Sequence, residues 1–377
     1  MPGPLTGVKV LELPAIGPVP FLGMLLADLG AEVVRVDKLG PPGLFGGLPA
    51  GPLGRGRRSI GLDIRKPGGA EVVLRLAESC DALIEGFRPG VAERLGIGPD
   101  AVLARNPKLV YGRMTGWGQE GPLSSTAGHD ITYLALTGLL HGIGPADRPW
   151  PPANYVADFG GGAMFLALGL LAGVLHARAT GEGQVVDVAM TEGASYLGSM
   201  TRTFMALGGW QDERAKNMLD GGAPNYRCYE CSDGKFVAVG ALEPQFWEAL
   251  VTAIGRTVEE TPSPYDLTQW GACEALLTET FRSRTRDEWA ELFAPLDACV
   301  APVLTLAEAP EHPHNVARGS YMTVGDAVMT APAPKFSVTP GAGAPLTEML
   351  AAGSDLLREA GYSDSEIEDL RNSETIG

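Results

Sequence analysis

Two short segments, Gly128-His129-Asp130 and Ala157-Asp158-Phe159-Gly160-Gly161-Gly162, put an imidazole and a carboxylate each at the head of an apolar run that reads as a helix. Facing one pocket, such a pair can take a proton from one face of a carbon and return one to the other. A helix start disfavours imidazolium and offers unpaired N–H groups to an anion. A neutral His129 beside an oxyanion therefore suits proton abstraction next to a carbonyl. Plainer explanations stand beside this one. Most histidines are structural or merely exposed, and the chain has five. Asp is a favoured helix N-cap, which accounts for Asp130 better than catalysis does and accounts for Asp158 too. Capping leaves the three glycines unexplained, because glycine inside a helix costs about 1 kcal/mol per residue relative to alanine. Another helix or a ligand must approach the backbone there, and the residues alone do not choose between them.

The remaining candidates carry less chemistry. Glu243, in Gly240-Ala241-Leu242-Glu243-Pro244, occupies a cap position where a strand meets a helix. Cys228-x-x-Cys231 falls in an expected strand with no second pair, against both a redox and a zinc reading. His312-Pro313-His314 lies in a loop without further ligands. More telling is a basic island of Arg55, Arg57, Arg58, Arg65 and Lys66 against a lone Asp63, with Arg35, Lys38 and Arg88 nearby, in a chain of net charge −16. Guanidinium groups grip phosphate in two-pronged fashion, so a polyanion site and scattered surface charge are equal readings.

The elements that must hold these groups alternate. Val8 to Leu13, Glu32 to Val36, Asp81 to Glu85, Leu109 to Met114 and Val185 to Met190 read as strands. Helices are expected over Phe21 to Leu29, Val91 to Leu95, Val102 to Ala104, Ile131 to Ile143, Phe159 to Ala179 and Glu192 to Leu207. This is an α/β pattern with a mostly parallel sheet covered on both faces. Strand, helix and strand ending at Asp37 outline a dinucleotide-binding unit, but Pro14-Ala15-Ile16-Gly17-Pro18-Val19-Pro20 stands where the phosphate-binding glycines belong. Prolines remove the cradling N–H groups, so the Rossmann-like shape is expected without NAD or FAD. Thr115 to Pro122 is a glycine-punctuated loop at a strand's carboxyl end, where ligands bind in such folds. Beyond the turn at Asp220 to Pro224, a hairpin (Tyr226 to Tyr229, Lys235 to Val239), helices near Pro244 to Ile254, Trp270 to Arg282 and Arg286 to Ala294, and a strand at Cys299 to Val303 form a smaller α+β domain. The expected division is 1–200, a linker at 201–224, 225–330, and a linker with two terminal helices at 331–377.

At 377 residues, 45% hydrophobic and 20% charged, the chain has ample core for two domains. Its acidity argues against nucleic acid or anionic membrane as a general partner. No signal peptide is expected, and the richest apolar window, Phe159 to Val174, reads as a buried helix with apolar residues all round. Five thinly spread cysteines fit a reducing compartment, the cytoplasm or an organelle matrix.

Several long motifs in one order resemble the family III CoA-transferase superfamily, and within it the branch of racemases acting on 2-methylacyl-CoA thioesters. They are Gly30-Ala31-Glu32-Val33-Val34-Arg35-Val36-Asp37, Gly128-His129-Asp130-Ile131, Ala157-Asp158-Phe159-Gly160-Gly161, Asn217 to Pro224, Val239 to Phe246, and His312-Pro313-His314-Asn315. The resemblance implies His129, oriented by Glu243, and Asp158 as the two acid/bases, with a thioester enolate held by backbone N–H at the Asp130 helix start. It implies an interlocked homodimer with Glu243 supplied by the partner chain, and no metal or redox cofactor. It assigns Ile16, Lys38, Arg65, Arg88 and Gly128 to the CoA moiety, Lys38 and Arg65 standing where relatives commonly carry arginine and lysine. The related alternative is a CoA-transferase with Asp158 as nucleophile.

Overall fold

The computed structural model describes residues 3–39, 51–343 and 353–377; the expected end of the linker at Pro345 and start of the terminal helices at Leu346 lie outside them. In chain order the elements begin β1 (Lys9–Glu12), α1 (Pro18–Asp28), β2 (Glu32–Asp37), β3 (Arg57–Gly61), α2 (Gly69–Ala77), β4 (Ala82–Glu85), α3 (Val91–Arg94), α4 (Pro99–Arg105), β5 (Val110–Thr115), α5 (Asp130–Thr137) and α6 (Leu139–Gly142). A π-helix, Tyr155–Ala163, runs directly into α7 (Met164–Thr180), followed by β6 (Gln184–Ala189), α8 (Met190–Leu197) and α9 (Ser199–Ala206). Then come β7 (Tyr226–Glu230), β8 (Phe236–Gly240), α10 (Pro244–Ala253), α11 (Trp270–Phe281), α12 (Arg286–Phe293), β9 (Val300–Pro302), α13 (Pro313–Arg318), β10 (Tyr321–Val324), β11 (Ala327–Thr330), α14 (Gly353–Glu359) and α15 (Asp364–Asn372).

Two compact units result, Met1–Thr137 with Ala153–Leu197 and Pro313–Gly377, and Gly138–Pro152 with Gly198–His312. In the first, six strands form one sheet in the order β3-β2-β1-β4-β5-β6, every pairing parallel. Its central strands are apolar because both faces are covered. One core gathers Leu11, Val36, Leu83 and Tyr111 of the sheet with Val72, Leu76, Leu356 and Leu357 of α2 and α14; α7 lies along β5 and β6 and meets α1. In the second unit the antiparallel sheet β7-β8-β9 packs around Trp247, Phe281, Trp289 and Phe293 of α10, α11 and α12.

Five expectations need correction. β3 has no counterpart in the sequence reading, because Arg57-Arg58-Ser59 look like surface charge; Arg57 and Ser59 are buried. The helices expected over Ile131 to Ile143 and Glu192 to Leu207 are each divided, at Gly138, which adopts a left-handed φ of 84°, and at Gly198. The stretch 138–152 groups with the second unit, held there by Arg214 donating to the carbonyls of Pro145 and His141. The hairpin β10–β11, read as the end of the small domain, groups with the first unit, where Arg55 Nη2 donates to Thr330 O. Finally, α7 is not buried all round. Leu166, Leu170 and Val174 face the core, while Leu168 and Leu175 are 67% and 72% exposed.

Candidate active site

The strand order reverses between β1 and β4, and the loops leaving β1, β4 and β5 converge at their carboxyl ends. A Cβ on Gly86 would stand 3.1 Å from Val19, 3.4 Å from Ala15 and 3.7 Å from the Met114 carbonyl. Beneath this junction Glu85, fully buried, accepts the Phe87 N–H at 2.5 Å and Arg113 Nε at 3.0 Å, which turns the chain so that Arg88 emerges exposed. Burial pushes Glu85 up to about 7, against its bonds to Phe87 and Arg113. A crevice at such a reversal point is where ligands bind in open α/β sheets.

Asp158 comes to this junction from the π-helix. It is not the N-cap of a helix starting at Phe159, as expected; the helix begins at Tyr155, Asn154 caps it by position, and Asp158 lies in its first turn. Wide π-turns are rare and occur frequently at functional sites. A Cβ on Gly17 would lie 3.8 Å from Asp158 Oδ2, and Asn154 Nδ2 reaches the same oxygen at 3.4 Å. Burial pushes the half-buried Asp158 carboxyl up to about 6; the Asn154 bond opposes this, the Asp130 charge adds to it, and the His129 charge opposes it. His129, exposed, sits immediately before α5. Its N–H is taken by Thr132 Oγ1 at 2.9 Å, and its carbonyl accepts that hydroxyl at 2.8 Å. α5 begins at Asp130, and an N–H at a helix start has no carbonyl of its own helix to meet.

The Asp130 side chain does not cap its own helix. Its Oδ2 accepts the N–H groups of Ala157 and Asp158, both at 2.8 Å. Tyr133, one turn along α5, is a further site residue that the sequence reading passed over as part of an apolar run. Its phenol is raised first by burial and then by the charge of Asp158, and lowered by Arg88, so it feels the charges of both groups. Its ring meets Trp117 edge-on at 4.9 Å, and a Cβ on Gly116 or Gly128 would overlap it; Gly128 is thus required for this packing. Asn154 was also missed, although its spacing of four from Asp158 is that of a helical hydrogen-bonding pair.

The three glycines have a local explanation. A Cβ on Gly161 would lie 2.5 Å from Ala194 N and 2.9 Å from Met190 O, and one on Gly193 would overlap the Gly161 carbonyl. The approaching body is α8, so helix crossing accounts for them without a ligand.

The basic island is largely spent on ion pairs, some with acids distant in sequence and two with an acid two residues away. Arg55 is buried on Asp28 and Arg57 on Glu12, Arg58 meets Glu32 and Glu359, Lys66 meets Glu374, and Arg35 holds Asp37 with two bonds at 2.9 Å. Arg65 is exposed and grips Asp63 with two prongs at 2.9 and 2.8 Å, which holds that carboxyl down at about 2. Lys38 and Arg88 are exposed and form no ion pair with a described residue. Ile16, in the loop after β1, is 52% exposed. Glu243 belongs to the second unit, where it precedes α10 with no side-chain cap bond and lies exposed; its charge raises Tyr265 and Cys299, secondary to their burial.

This fold and junction are those of CoA-transferase family III, to which the chain belongs: the family's sequence model matches residues 5–347. The protein is an enzyme of that family. Over 376 residues it is 42% identical to the alpha-methylacyl-CoA racemase of Mus musculus, with 99% of this chain and 97% of that one covered. It is 41% identical to the Homo sapiens racemase over the same length and shares. A solved CAIB/BAIF family protein from Brucella suis is similar at a TM-score of 0.80 and 26% identity, covering 96% of this chain and 100% of that one.

Proposed function

We propose that this enzyme interconverts the (R) and (S) forms of 2-methylacyl-CoA thioesters, with His129 and Asp158 as the two acid/bases. The observation that carries the reading is the half-buried Asp158 carboxyl, pushed up to about 6 and within electrostatic reach of His129. A carboxyl so poised both accepts and donates a proton near neutral pH. In one direction neutral His129 removes the α-proton, the C–H electron pair moves onto the thioester oxygen, and protonated Asp158 delivers its proton to the opposite face. The enzyme is left as imidazolium and carboxylate, which is the form that runs the reverse reaction. The enolate oxygen is held by the Asp130 N–H at the start of α5. Similarity to two racemases along nearly the whole chain supports the substrate class.

In this reading Arg88, Lys38 and Arg65, with Ile16 and Gly128, hold the CoA moiety, and Glu243 of a second copy orients His129 in an interlocked homodimer. The apolar outer stripe of α7 supports a dimer, since it offers a second copy a surface to cover. Free cysteines at all five positions fit a cytosolic or organelle-matrix location. The test is to incubate one epimer with enzyme and no acceptor acid, then resolve the product acids chirally. The second epimer must appear. Conversion that requires an added carboxylate would instead make Asp158 a nucleophile carrying the acyl group as a mixed anhydride.

A further inference from the structure

Asp130 is only 5% exposed, and its two carboxylate oxygens are in different situations. Oδ2 receives the N–H groups of Ala157 and Asp158, while Oδ1 is sealed from solvent without a partner among the described residues. The residue that makes these bonds follows His129 directly, and one of the two residues it holds is Asp158. A single side chain therefore joins the two segments that carry the proton-transfer groups.

The bonds also oppose the usual electrostatics of a helix start. Free first-turn N–H groups attract negative charge and favour the ionised form of an acid placed there. Here a second carboxylate has taken those donors, and its own charge is uncompensated at Oδ1. The groups acting on Asp158 are Asn154 on its own segment and Asp130 and His129 at the head of α5, while Tyr133, one turn on, feels the charges of Asp158 and Arg88. Among these Asp130 supplies the negative charge.

Resting on the proton-transfer reading above, we infer that the Asp130 carboxylate is a positioning residue of the reaction: it pins Asp158 at a fixed separation from His129 and withholds from it the backbone donors that would keep it anionic. This role is separate from that of the Asp130 backbone N–H.

The test compares Asp130→Asn with Asp130→Ala in the full-length enzyme. The first reading is the titration of Asp158, followed by carbon-13 NMR of carboxyl-labelled aspartate and assigned with Asp158→Asn. The second is the kcat and KM of epimerisation. Asparagine keeps an acceptor oxygen but no charge, so the Asp158 midpoint should fall from about 6 toward the ordinary carboxylate range, with kcat reduced less than about tenfold. Alanine also removes the acceptor and should lower kcat about 100-fold with KM nearly unchanged, so that asparagine rescues most of the loss. An Asp158 midpoint unmoved in Asp130→Asn overturns the inference even if the alanine variant does not fold. So does an asparagine variant whose only change is in KM. The titration needs no substrate, so a wild type that titrates as expected yet leaves the thioester unchanged counts against the racemase reading alone.

Discussion

In the proposed reaction the two acid/bases exchange roles and must share one proton, which constrains how His129 and Asp158 would respond to pH. The form that deprotonates one epimer and the form that deprotonates the other differ in where the proton sits, not in how many there are. Both directions should therefore give one coincident bell-shaped profile of kcat/KM, with an inflection near 6 from Asp158. Profiles of different shape for the two epimers would contradict the shared proton. Replacing His129 by Ala should lower epimerisation at least about 100-fold while CoA-ester binding persists. Asp158 also leaves a mark on stability. Its folded pKa is raised above the ordinary 3.8, so the folded state holds the proton more tightly, and stability is lost as pH rises through about 6. Asp158→Asn should therefore be more stable to urea by about 1 to 2 kcal/mol at pH 8, discounted for partial exposure, and little changed at pH 4. For Arg88→Ala the expected result is a raised KM with kcat little affected. The place of His129 immediately before a helix was legible because a helix head can be read locally, whereas that of Asp158 was misread as an N-cap. The places of Arg55 and Arg57 were not legible, because their partners Asp28 and Glu12 lie 27 and 45 residues away along the chain.

Among the elements, the crossing of the π-helix with α8 fixes where Asp158 stands. Gly161 and Gly193 let two backbones approach closer than any side chain allows, and rigid contact there transmits position to Asp158 three residues upstream. Gly161→Ala forces the two apart, with an expected loss of about 1 to 3 kcal/mol and a fall in kcat larger than any change in KM. Unaltered denaturation and activity would mean that the crossing does not position the site. The sequence showed that something must approach the glycine run but not what, since periodicity describes a helix and not its neighbour. The π-turn was equally hidden: one residue more per hydrogen-bonded turn leaves no compositional signature, and the start of the helix was expected four residues late. β3 escaped for a related reason, because Arg57 and Arg58 pair with Glu12, Glu32 and Glu359 far along the chain, and without those partners in view the segment reads as a charged loop.

For the whole molecule, the mostly parallel sheet followed from alternating strands and helices, whereas the grouping of 138–152 and of β10–β11 did not, since it involves long-range bonds such as those of Arg214 and Arg55. The π-helix and α7 together, Tyr155–Thr180, are long and apolar enough to cross a membrane by length and composition, yet one side of α7 packs along β5 and β6. A second copy covering that face predicts that Leu168→Asp with Leu175→Asp shifts the protein toward monomer in sedimentation and lowers epimerisation in proportion; an unchanged dimer would place the interface elsewhere. The most direct test of the central claim is NMR of a single-enantiomer 2-methylacyl-CoA with enzyme in deuterated water and no acceptor acid. Deuterium should enter the α-position as the second epimer appears. An α-position that stays protonated while CoA passes to an added carboxylate would contradict it.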